Sequence, residues 1–105
     1  MTSRAITKEE AREVFLSHVQ SISKYWAGLP DKTDQERCDG VAFSILCIFD
    51  GVSGGIPAFD AVIRPHPEDK QYNTDIDENY YEDGMTINDD VHLHEIMKIN
   101  DSPSR

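Results

Sequence analysis

An α+β fold is what this sequence predicts: an antiparallel helix pair packed on a small two- or three-stranded β element, with a short C-terminal helix or strand. Three observations support it. Two capping boxes each open a segment of helical apolar periodicity. A short polar link joins those segments. A β-branched run bounded by prolines follows them. At 105 residues the chain reads as one compact domain, with residues 1–6 and 101–105 expected to fray.

The first helix starts at Thr7-Lys8-Glu9-Glu10, where the Thr7 hydroxyl can serve the Glu10 amide while Glu10 reaches back. Glu9, Glu10 and Glu13 suit the positive end of the helix dipole. Ala11, Phe15, His18, Ile22, Tyr25 or Trp26, and Leu29 recur at three- and four-residue steps as one apolar stripe. Gly28 and Pro30 stop it near Ala27. The second box, Thr33-Asp34-Gln35-Glu36, opens a helix apolar around much of its circumference, with Cys38, Val41, Ala42, Ile45, Leu46 and Phe49 on one side. Gly40 lets the first helix approach closely, and Gly51 suits a left-handed cap.

Phe59 to Arg64 reads as a strand ended by Pro65 and Pro67, and Met85-Thr86-Ile87 as a second strand pairing with it. A helical turn is expected near Glu68–Gln71. Residues 91–99 satisfy both periods. Asn88-Asp89-Asp90 makes a helix start, which favours helix, yet Val91, Leu93, Met97 and Ile99 also alternate as in a strand.

Charge is divided unevenly. Residues 66–95 carry ten acids against one base, Lys70, a net of −9 out of −10 for the chain. Residues 1–65 carry nine acids and seven bases. This balance disfavours direct nucleic-acid binding, which needs cations to replace counterions, and docking on anionic lipid. No basic-then-apolar leader and no apolar run near ~20 residues is visible, so a cytoplasmic protein is expected. Cys38 and Cys47, nine residues apart on one helix, would lie about 13 Å apart on opposite sides, so they read as reduced, buried thiols and not as a disulfide.

Two sets of residues could carry function. Glu78, Tyr80, Tyr81, Glu82 and Asp83, with Asp89 and Asp90, have the composition of a protein-binding patch. Tyrosine gives contact area at low entropic cost, and acids steer a basic partner. Alternatively, His92, His94 and Glu95, with Asp89 and His66, could ligate a divalent metal in a metal-binding protein or hydrolase. On a strand His92 and His94 would share a face; on a helix they would not. The spacings His-Glu-x-x-His and Cys-x-x-Cys are absent, as are a phosphate loop and a Gly-x-Ser-x-Gly elbow. No catalytic residue and no cofactor is therefore assigned. The favoured expectation is a non-enzymatic acidic interaction module, of inhibitor or immunity type, with a basic protein partner. A homodimer through the exposed part of the helix pair is a further expectation.

Gly40-Val41-Ala42-Phe43-Ser44-Ile45-Leu46, Arg64-Pro65-His66-Pro67-Glu68-Asp69-Lys70 and Leu93-His94-Glu95 resemble segments of small uncharacterised bacterial proteins. The resemblance implies a compact bacterial domain and carries no activity or site residues with it.

Overall fold

The computed structural model describes residues 3–97. Helix α1 spans Lys8–Ala27, α2 Asp34–Phe49, α3 Asp69–Asp75 and α4 Leu93–Ile96.

Both capping boxes form. Thr7 Oγ1 accepts from the Glu10 amide at 3.1 Å while Glu10 accepts from the Thr7 amide at 2.9 Å. Thr33 and Glu36 repeat the exchange at 3.0 and 2.8 Å. Each box satisfies two amides that the first helical turn would otherwise leave free.

The helices run antiparallel. Phe15 near the start of α1 meets Phe49 at the end of α2, with ring centroids 6.3 Å apart. Trp26 at the end of α1 lies across Gly40 in the first half of α2 and donates from Nε1 to Ser44 Oγ at 3.0 Å. A Cβ built on Gly40 would fall 2.4 Å from the indole, so only glycine permits this approach. Of the two residues that could continue the α1 stripe, Trp26 packs inward and Tyr25 is exposed.

Gly51, at φ +79°, turns the chain out of α2. The return segment folds over the joined end of the pair, where Phe59 meets Phe15 and Phe49 at 5.4 and 6.0 Å. His18 ties the intervening loop to α1, one ring nitrogen 3.0 Å from the Val14 carbonyl and the other 3.1 Å from that of Gly54. Among the described residues, Ile48 and Ile56 are the buried hydrophobics.

The β element is where the expected α+β class fails. The two segments do meet, antiparallel: Ile63 donates to Met85 O at 2.9 Å, Gly84 to Ile63 O at 2.8 Å, and Ile87 to Ala61 O at 3.0 Å. Yet only a single bridge forms, Val62 with Thr86, and no sheet exists among the described residues. Two features stop the ladder. Pro65 and Pro67 lack the amides that would extend it in one direction. In the other, the Asn88 side chain replaces a strand, accepting from the Ala61 amide at 2.9 Å and donating to Phe59 O at 2.8 Å. The protein is a helical hairpin with an irregular, acidic second half.

One further expectation, that both cysteines are buried, is corrected. Cys38 is exposed and Cys47 only half-buried, though both are free thiols. Within 91–99 the favoured helix does form, as the single turn Leu93–Ile96, with His92 before it in extended conformation; positions 98 and 99 lie outside the described residues. Among the described residues, no helix is long and apolar enough to cross a membrane.

Candidate functional site

The end of α2 carries an acid in the wrong place. Asp50 is the C-cap, where exposed carbonyls make negative charge unfavourable, and the last turn of α2 holds no base. Its carboxylate nevertheless has no accessible side-chain surface. The compensation comes from α4. Asp50 Oδ1 accepts from the Leu93 amide at 2.9 Å and Oδ2 from the His94 amide at 2.7 Å. The same Oδ2 lies 2.6 Å from His94 Nδ1. Asp50 thus serves as a cap for α4 supplied by α2. Burial pushes its pKa up, but the bonds from the His94 amide and ring and the Leu93 amide outweigh burial and hold it below the ordinary carboxylate value. Burial, reinforced by the Asp50 charge, raises the pKa of the neighbouring Cys47 thiol, which keeps it protonated and unreactive.

His94 is fixed from two more sides. The Phe43 ring meets it edge-on at 5.5 Å, and the His92 ring stacks beside it at 5.7 Å and 25°. His92 Nδ1 reaches toward Glu95 at 3.7 Å, a distance at which a charged ring and carboxylate attract.

This anchor forms one wall of a cleft of about 500 Å³. The half-buried Phe49, Phe59 and Val91 line it, together with the exposed Ala58. The exposed Asp60, Asp89, Asp90, His92 and Glu95 stand around it. The cleft thus combines two aromatic side chains with several carboxylates.

The expected partner patch is split. Asp89 and Asp90 line this cleft, whereas Glu78 to Asp83 occupy the irregular stretch after α3. Tyr80 and Tyr81 are exposed there, at 41% and 68%. Lys70, the base of the acidic half, is already engaged: it lies 3.3 Å from Glu82 and 5.0 Å from the centre of the Tyr80 ring. Glu82 and Tyr80 raise its pKa and hold it charged.

The expected metal ligands do not converge. The stacking of His92 on His94 brings those rings together, but His94 Nδ1 is committed to Asp50. His66 is committed to its own turn, its Nδ1 accepting from the Glu68 amide at 3.1 Å while its amide donates to Asp69. Among the described residues, no three His, Cys, Asp or Glu side chains are grouped to hold a metal ion.

Asp50 and Asn88 escaped sequence reasoning. For Asp50 a signal existed, namely an acid at a helix C-terminus with no compensating base. Asn88 read only as a helix start.

No protein-family model matches the chain, and no curated protein or solved structure matches it either.

Proposed function

We propose that this protein is a non-enzymatic interaction module whose acidic second half engages a basic partner protein, with a Lys or Arg side chain of that partner entering the cleft beside Asp60, Asp89 and Asp90. The observation that carries the reading is the composition of the cleft. Aromatic faces attract a cation through the ring quadrupole, and carboxylates placed around them add Coulomb attraction and steering. Glu78, Glu82 and Asp83 carry the same sign of charge outside the cleft, and the exposed Tyr80 and Tyr81 beside them in sequence offer contact area. With Lys70 paired internally, little positive charge opposes a basic surface.

The Asp50–His94 pair fits this reading as scaffold. A buried carboxylate that fixes a histidine can also orient a general base, but here the Phe43 ring, the His92 ring and the α4 amides consume the surroundings of the pair.

The test is capture of a basic binding partner by the wild-type protein and by the Asp89→Lys, Asp90→Lys double variant, at low and high salt. The expected result is a complex that weakens with salt and is lost on charge reversal. A complex that persists at high salt and ignores the reversal refutes the proposal.

A further inference from the structure

We infer that the outer edge of the segment 60–64 receives an extended, basic segment of the partner protein, which pairs with it as an added β-strand and carries a cationic side chain to the cleft. This deepens the proposed function and rests on the attraction of the cleft for a cation.

The backbone supplies the edge. Phe59 O and the backbone groups of Ala61 and Ile63 are all engaged on one side. Ile63 bonds with Met85 and Gly84, Ala61 with Ile87 and the Asn88 side chain, and Phe59 O with that same side chain. An extended chain that bonds through alternate residues turns the groups of the intervening residues to the opposite side. Val62 and Thr86 face each other as the pair that exchanges no bond, so the Val62 amide and carbonyl point away from residues 84–88. Among the described residues, no protein group bonds the backbone amide or carbonyl of Asp60, Val62 or Arg64. All of these are exposed, Val62 at 46%, whereas Thr86 on the other edge is half-buried. A row of solvated donors and acceptors is a template for strand addition, in which the backbone supplies affinity and alternate side chains supply selectivity. Pro65 ends the row, so the occupant needs to span only a few residues.

Charge selects the occupant. Asp60 belongs to this edge and also lines the cleft with Phe59, Asp89 and Asp90. On an added strand, the residue opposite Asp60 has its Cβ about 5 Å from that of Asp60, at the margin of the cleft. A lysine or arginine there meets Asp60, Asp89 and Asp90. An apolar residue suits the place opposite Val62, and Arg64 disfavours a second cation opposite itself. A second copy of this chain is the wrong occupant, because it would bring residues 66–95, with a net charge of −9, against their equivalent.

The probe is a capped peptide, Lys-Lys-Val-Thr-Val-Lys-Lys. It reads the same in both directions, and it sets a lysine opposite Asp60 when a valine lies opposite Val62. Its control carries N-methyl groups on the Val-Thr-Val centre, which keep the charge and remove the amide donors. Both are titrated into the isotope-labelled full chain and followed by NMR. The unmodified peptide should shift the Asp60, Val62 and Arg64 amide resonances and slow hydrogen exchange at the Val62 amide. The methylated peptide should bind about tenfold more weakly or worse, having lost its backbone bonds. The Asp89→Lys, Asp90→Lys double variant should weaken binding of the unmodified peptide. Equal binding of the two peptides, still weakened by the double variant, overturns strand addition and leaves the charged cleft standing. Binding that leaves the Val62 amide unchanged overturns it too. A methylation effect that persists while the double variant binds like wild type refutes the charged cleft instead. Binding of neither peptide overturns both.

Discussion

Replacing Asp50 with alanine removes the acceptor on which the acidic half hangs. The Leu93 and His94 amides lose their partner, and the His94 ring loses its carboxylate. Leaving a buried donor without its acceptor costs about 1–3 kcal/mol, and three donors lose theirs. Asp50 is among the residues lining an open cleft, so once its carboxylate is removed water can enter beside the freed donors and the lower end applies to each, about 3 kcal/mol together. For a domain of this length that lowers Tm by roughly 12–24 °C. The assay is urea and thermal unfolding of Asp50→Ala and of Asp50→Asn, which keeps volume and an acceptor oxygen and should lose less. Acid supplies an independent check. The folded pKa of Asp50 lies below its ordinary 3.8. Its stabilisation is therefore complete above that ordinary value and is lost as pH falls through the depressed one. Wild type and Asp50→Ala should differ most near neutrality and converge in strong acid. A destabilisation below about 1 kcal/mol, or a gap between the two proteins that does not narrow on acidification, refutes the reasoning.

Gly40→Ala gains helix propensity worth about 1 kcal/mol but drives a methyl into the Trp26 ring. Overpacking costs ~1–3 kcal/mol, so chemical denaturation should report net destabilisation together with a shifted tryptophan emission. Asn88→Ala removes two neutral hydrogen bonds to the Phe59–Ala61 segment. The expected cost is about 1–3 kcal/mol, with faster hydrogen exchange at the Ala61 amide. Glu10, held by Arg4 and by the Thr7 amide, should titrate near 2 by NMR. In Arg4→Ala its midpoint should move back toward 4.5 while the capping box survives.

The hairpin was legible in the sequence because its signals are local. A capping box spans four residues, a glycine stop one or two, and an apolar stripe repeats every turn, so Thr7, Thr33, Gly40 and Gly51 could each be read in place. The meeting of 59–64 with 85–87 is legible too, but neither segment is a strand: a single bridge, Val62 with Thr86, joins them. What could not be read was how far the ladder runs, because that depends on the Asn88 side chain crossing to residues 27 and 29 positions earlier. The candidate site was half legible for the same reason. Asp89, Asp90, His92 and Glu95 stood together in the sequence, and all line the cleft. Its aromatic residues and its anchor come from α2 and the segment after it, and Asp50 meets His94 across 44 positions. That distance also reversed the meaning of the histidines. They cluster as ligands would, yet one of them is a structural donor.

The two halves of the chain should therefore differ in how readily they open. The hairpin is closed by two capping boxes, an aromatic cluster and the Trp26–Gly40 contact. The acidic half has two short helices, a single β-bridge and few buried groups, which are the features of a low-stability unit. Its attachment runs through Asp50, Asn88 and the Phe43–His94 contact. Its own charges repel one another, which strains that attachment at low salt. A basic partner relieves that repulsion and, if it binds only the assembled surface, stabilises it in proportion to the logarithm of its concentration over Kd. Partner binding and the Asp50 anchor are then thermodynamically linked. Asp50→Ala should weaken the partner although Asp50 contributes no exposed surface to it. That effect separates a surface that must be held in shape from one that works by charge alone, because a purely electrostatic partner would bind the detached acidic segment equally well.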